Sequence, residues 1–155
     1  MSLPEISPQQ VDDFQRDGVL LLRGVFRGWV QTLAEGIEAN MADPSADVRI
    51  YHNDDGSGLF FGDYCNWNRF DAYRSFVYNS PAASVAAALT GSRQIRLFHE
   101  HVLVKEPGTE VPTPWHQDQP YYCVDGQQTC SLWMPLDPVV DEVCPQFVAG
   151  SHRWQ

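Results

Sequence analysis

Apolar residues recur with a helical spacing over the first ninety positions and with a spacing of two after Gly91. Near the start, Ser7-Pro8-Gln9-Gln10 combines an N-cap, a proline at the first helical position and a capping-box glutamine, with Val11 and Phe14 as the apolar stripe and Gly18 as the stop. A short helix leading into a strand over residues 19–22 is predicted. Trp29, Leu33, Ile37 and Met41 recur every four residues until Asp43-Pro44, so a second, amphipathic helix lies on something. Between residues 48 and 64 the run Asn53-Asp54-Asp55-Gly56-Ser57-Gly58 interrupts two extended segments and predicts a hairpin. Ser80-Pro81 repeats the cap-then-proline signal before an alanine-rich helix over residues 82–89, which Gly91 closes.

Residues 94–105 alternate, with Leu97, His99, His101, Leu103 and Lys105 on one face and Phe98, Glu100, Val102 and Val104 on the other. Three prolines and a glycine make residues 107–114 a loop. Extended chain resumes over residues 115–118, Asp125-Gly126 turns, and residues 129–136 read as a second strong strand, with Ser131 and Trp133 on one face and Cys130, Leu132 and Met134 on the other. Helices first and strands second point to an α+β, mainly β, protein with an antiparallel sheet or barrel. No internal repeat interrupts this order.

A length of 155 residues, 43% of them hydrophobic, suffices for one core, so residues 1–155 are read as a single domain or part of one. Twenty acidic against ten basic residues give a net charge of −10, and Lys105 is the sole lysine. Nucleic acid and anionic membranes reward clustered cations, so neither is expected as a partner. No apolar run approaches the ~20 residues of a membrane span, and no charged start followed by an apolar stretch opens the chain, so a soluble protein without an export signal is expected. Four cysteines without a C-x-x-C pair are taken as reduced thiols of a cytoplasmic protein.

Chemistry concentrates first at His116-Gln117-Asp118. In extended chain, residues two apart point to one side, roughly 7 Å apart at Cα, so an imidazole and a carboxylate can converge on one ion. With a second histidine they make the facial triad of non-haem Fe(II) oxygenases. Five histidines and thirteen aspartates give roughly 0.4 such triplets by chance, so the triplet alone also reads as a surface turn beside proline.

The surroundings are more specific. His99-Glu100-His101-Val102-Leu103-Val104-Lys105-Glu106-Pro107-Gly108, Thr113-Pro114-Trp115-His116-Gln117-Asp118-Gln119, Ser131-Leu132-Trp133-Met134-Pro135-Leu136-Asp137 and Gly150-Ser151-His152-Arg153-Trp154 stand in the order and spacing of the phytanoyl-CoA dioxygenase family. The opening Val11-x-x-Phe14-x-x-Asp17-Gly18 also resembles the family's start. This resemblance implies a double-stranded β-helix (jelly-roll, cupin-like) core with flanking N-terminal helices, bound Fe(II), and 2-oxoglutarate as cosubstrate with O2. It makes His116 and Asp118 the first two iron ligands, sets His101 and Trp133 against 2-oxoglutarate, and gives Gln117 a contact there. His99, Tyr121 and Tyr122 are candidates for substrate. Each has a plainer alternative: core packing for Trp133, Tyr121 and Tyr122, and a satisfied core histidine for His99 and His101. Lys105 is expected to snorkel beside the Pro107-Gly108 turn.

One departure matters. The family takes its third ligand, a histidine, and the arginine that clamps 2-oxoglutarate from strands after the Gly-Ser-His turn, whereas this chain stops at Gln155. His152 matches the turn and not the ligand. The third ligand is therefore expected after Gln155, the barrel is read as truncated at its C-terminus, and residues 1–155 alone are expected to be inactive. Val143-Cys144-Pro145 and Ala149 depart only in turn geometry. The implied activity is hydroxylation of a small metabolite, with Asp118 favouring hydroxylation over halogenation, and one lysine ill suited to the phosphates of an acyl-CoA. Two competitors stand beside it: a non-catalytic jelly-roll binding module, and a zinc or manganese hydrolase or isomerase using His99-Glu100-His101.

Overall fold

Where a capping box, a proline and a stop glycine coincide, the first helix forms between them. The computed structural model describes residues 4–154, which gather into two compact units. One comprises residues 4–28, 80–96 and 117–154; the other comprises Trp29–Asn79 and Leu97–His116.

In the first unit, helix α1 spans Pro8–Asp17. Ser7 Oγ accepts the Gln10 N–H (3.2 Å), while Gln10 Oε1 accepts the Ser7 N–H (2.9 Å), so two N-terminal donors are satisfied reciprocally. Gly18 ends the helix in the left-handed region (φ 77°), its N–H bonded to Phe14 O. Helix α2, Val30–Ala42, belongs to the other unit. Residues 82–90 form a helix as the alanine run dictates, and Ser80 Oγ accepts the Ala82 N–H (3.2 Å) at its start. Its Val85, Ala86 and Leu89 are the buried apolar residues of this unit. Gln15 Nε2 donates to Leu89 O (2.6 Å), fastening α1 to it.

The second unit is an α+β layer. Strands β1 (Arg49–Tyr51), β2 (Phe60–Tyr64) and β3 (His101–Lys105) form an antiparallel sheet in the order β1-β2-β3. Register sets Ile50 opposite Phe61 and Phe61 opposite Val104, then Asp63 opposite Val102 and Tyr64 opposite His101. Phe61 and Val102 are buried, whereas His101, Leu103 and Lys105 are exposed, as the alternation predicts. Helix α3, Asp71–Asn79, was not evident in the pattern; the alanine-rich helix Ala82–Thr90 that follows it in the chain is α4. α3 lies against α2 where Gly36 leaves room: a Cβ at Gly36 would fall 2.8 Å from Ala72 Cβ and from Tyr73 Cε1.

Beneath the sheet sits a polar cluster. Asn40, Asp63 and Asn66 are wholly buried. Asp63 accepts from Asn40 Nδ2 (2.8 Å), Ser45 N (2.8 Å), Ser45 Oγ and Tyr64 N (3.0 Å), and Tyr73 Oη donates to Asn40 Oδ1 (3.3 Å). Burial alone would raise the Asp63 carboxyl, but donors on Ser45, Asn40 and Asn66 outweigh it and hold the pKa at about 2.

Two expected strands do not form. Residues 19–22 and 129–136 run as irregular chain. A strand exists only by pairing, and among the described residues neither segment has a partner strand to complete its ladder. The described architecture is accordingly α+β with one open three-stranded sheet. The expected distal ligand, placed after Gln155, lies outside the described residues. No described helix is long and apolar enough to cross a membrane. All four cysteines are free and exposed.

Candidate functional site

The sheet of the second unit presents a face of rings. Tyr64 of β2 meets His101 edge-on (centroids 5.6 Å, 71°) and His99 likewise (6.3 Å, 66°). Both imidazoles meet the same Tyr64 ring, His101 from β3 and His99 from the irregular chain just before it, and Gly62, two residues before Tyr64 on β2, leaves the space that a side chain would fill: His101 Nε2 lies 3.5 Å from where its Cβ would be. Crowding of the His101 ring lowers its pKa, neighbouring His99 lowers it further, and Asp63 opposes both. Lys105, at the far end of the same face, donates to Val111 O (2.8 Å) and sets its ammonium over the Phe60 ring (4.6 Å). His116 belongs to this unit too. Its Nδ1–H donates to Pro114 O (2.8 Å), which fixes the tautomer of the ring.

The other unit holds the remaining candidates. Asp118 Oδ2 accepts from Ser131 Oγ (2.8 Å) and Tyr122 Oη (3.2 Å), and those two hydroxyls are 3.1 Å apart. Tyr122 thus orients the carboxylate; burial first, and Asp118 with it, raises its phenol pKa against the opposing Ser131 contact. The alternation sets Ser131 on a face with Trp133, and one of the four family-like blocks opens on it, but neither discloses its hydroxyl bond to Asp118. Trp133 is half exposed and Tyr121 largely exposed, in a segment without a packed core around it. Gln117 Nε2 donates to Ser151 O (2.8 Å), tying the residue between the two candidate ligands to the Gly-Ser-His turn.

That turn has a definite place. Gly150 N–H donates to Asp17 O (2.8 Å) and Arg153 Nη2 to Arg16 O (2.6 Å), so the turn satisfies the terminal carbonyls of α1. The His152 ring lies so close over Gly18 that a Cβ there would overlap it. Cations at a helix C-terminus complement its dipole. Arg16 first, then Arg153 and His152, lower the Asp17 carboxyl against a counteracting desolvation. His152 therefore has a structural post at α1.

The donor set suits a divalent metal in kind. An imidazole and a carboxylate are N and O donors, and each carries the second-row hydrogen bond that orients a metal ligand: Pro114 O for His116, Ser131 and Tyr122 for Asp118. Among the described residues no group of three or more His, Cys, Asp or Glu side chains is gathered as a metal site.

Residues 14–155 match the family model of phytanoyl-CoA dioxygenase (PhyH), and the chain belongs to that family. No curated protein and no solved structure matches it.

Proposed function

We propose that this protein is an Fe(II)- and 2-oxoglutarate-dependent dioxygenase that hydroxylates a small metabolite, built on the double-stranded β-helix of its family, with residues 1–155 contributing to one domain. The observation that carries the reading is the family match across residues 14–155, which contains His116-Gln117-Asp118 with each ligand already braced. His116 and Asp118 would hold the iron, which when bound supplies O2 activation coupled to oxidative decarboxylation of 2-oxoglutarate. The chain's own residues do the positioning. Pro114 fixes the imidazole tautomer of His116, and Ser131 with Tyr122 aim the Asp118 carboxylate. His101, Gln117 and Trp133 would contact 2-oxoglutarate, and His99, Tyr121 and Tyr122 would contact substrate. His101, its pKa lowered, favours the neutral ring, which still donates one hydrogen bond to a carboxylate. Because His152 is engaged at α1, the third ligand and the clamping arginine are still expected beyond Gln155. Free thiols accord with a cytoplasmic setting, and a lone lysine with a substrate less anionic than an acyl-CoA.

The test is 2-oxoglutarate-dependent succinate formation by the natural protein with Fe(II) and ascorbate, in wild type and in Asp118→Ala. Loss of the only anionic ligand should abolish coupled turnover. Undiminished succinate release in the variant would remove the assignment, and absence of Fe(II) binding by the wild type would leave a non-catalytic binding module.

A further inference from the structure

The ring face of the sheet is held in place from behind. Glu100 stands between His99 and His101, immediately before β3, and its side chain reaches the chain that follows β2. There its carboxylate meets two successive backbone donors: Asn66 N–H binds Oε1 and Trp67 N–H binds Oε2 (3.0 Å). Its own carbonyl accepts the Cys65 N–H (3.2 Å). Cys65 is the one described non-glycine residue with a positive φ, 64°. A left-handed residue followed by converging N–H groups is a backbone concavity that favours an anion, and Glu100 fills it. The segment it grips begins immediately after Tyr64, the ring against which both histidines rest. Asn66 is itself wholly buried, its Nδ2 donating to Tyr64 O (3.1 Å) and its Oδ1 accepting from Arg69 (2.6 Å), so its side chain ties the gripped segment to residues on either side.

We infer that Glu100 is a positioning residue, whose carboxylate clamps the Asn66–Trp67 backbone beside the Cys65 bond to its carbonyl, and thereby fixes Tyr64, His99 and His101 relative to one another. Its bearing on catalysis rests on the reading of His101 as a 2-oxoglutarate contact. Glutamine at this position keeps one acceptor and turns an amide donor toward a backbone donor, so one of the two side-chain grips is lost, while the bond from Cys65 N–H to the backbone carbonyl of residue 100 remains.

The experiment compares histidine ring C–H signals by NMR, together with thermal melting and steady-state kinetics, in Glu100→Gln and in Leu33→Ala. The second variant weakens the same unit from the α2 side without touching the clamp. Glu100→Gln should displace the His99 and His101 signals and leave that of His52 in place, whereas Leu33→Ala should lower the melting temperature and displace neither. A Glu100→Gln protein that melts earlier with His99 and His101 signals unchanged would overturn the inference, reducing Glu100 to a stabilising contact. If Glu100→Gln does not fold, Glu100→Asp, which keeps both oxygens on a shorter stem, must displace the same two signals, and failure to do so is equally decisive. In kinetics the expected signature is a roughly tenfold rise in the KM for 2-oxoglutarate with little change in kcat. Displaced signals with an unchanged KM would keep Glu100 as the residue that places the rings and would remove His101 from the cosubstrate pocket.

Discussion

Replacing Asp63 by asparagine should destabilise the protein at neutral pH and much less so in acid. The carboxylate is wholly buried and gathers four donors from Asn40, Ser45 and the Tyr64 backbone. Its pKa falls from the usual 3.8 to about 2, which corresponds to roughly 2.5 kcal/mol of extra stability when ionised. The sign follows from the direction of the shift: the folded state holds the proton more weakly than the unfolded state. This stability is therefore complete above about pH 4 and drains away as pH falls through 2. By pH 2.5 about two-thirds of it is gone. Asparagine offers one acceptor where the carboxylate offers two, and aims an amide N–H2 at a donor, so the cost at pH 7 should be about 2–4 kcal/mol. Urea denaturation of wild type and Asp63→Asn at pH 7, 4.5 and 2.5 measures this directly. The gap should stay nearly constant from pH 7 to 4.5 and then narrow by about 1.6 kcal/mol. A gap that is the same at all three values would refute the reasoning, since the penalty would then owe nothing to ionisation.

Two further outcomes are expected. Gly36→Ala improves helix propensity by about 1 kcal/mol, yet its Cβ would press on the buried Tyr73 ring, so the net effect should be a loss of about 1–2 kcal/mol in chemical denaturation; a stabilised variant would show that α2 and α3 can part without cost. Ser131→Ala removes one of the two hydroxyls on Asp118 and should weaken Fe(II) or Mn(II) binding by the natural protein about tenfold in calorimetry, with an unaltered melting temperature. Unchanged affinity would separate Ser131 from the metal.

Much of the secondary structure was legible because its signals are local. Ser7, Pro8 and Gln10 announce α1 within four residues, the four-residue beat of Trp29, Leu33, Ile37 and Met41 announces α2, and Asn53 to Gly58 announces the hairpin. α3 escaped because no capping serine or threonine precedes Asp71, and its aromatic residues, Tyr73 and Phe76, fit a strand or a helix equally well. Residues 129–136 show the opposite error: alternation states which face a segment would bury if it paired, and pairing is not a local property. The same limit applies to the site. That His99 and His101 share a face follows from a period of two, and the structure agrees. That Asp63 would be satisfied by Asn40, twenty-three residues earlier, or Asp118 by Ser131, thirteen later, depends on tertiary approach that no spacing encodes.

The docking of the Gly-Ser-His turn on α1 also sets a timetable for synthesis. Arg153 and the Arg16 carbonyl that it caps are 137 residues apart in the chain. At about 5–20 residues per second, the ribosome delivers the cap roughly 7–27 seconds after the helix emerges. Throughout that interval α1 has its N-terminal capping box, made from its own residues, but not the Gly150 and Arg153 donors for its last carbonyls. A helix of ten residues is marginal in water by itself. The last turn of α1 should thus remain frayed and protease-accessible until the Gly-Ser-His turn arrives to cap it.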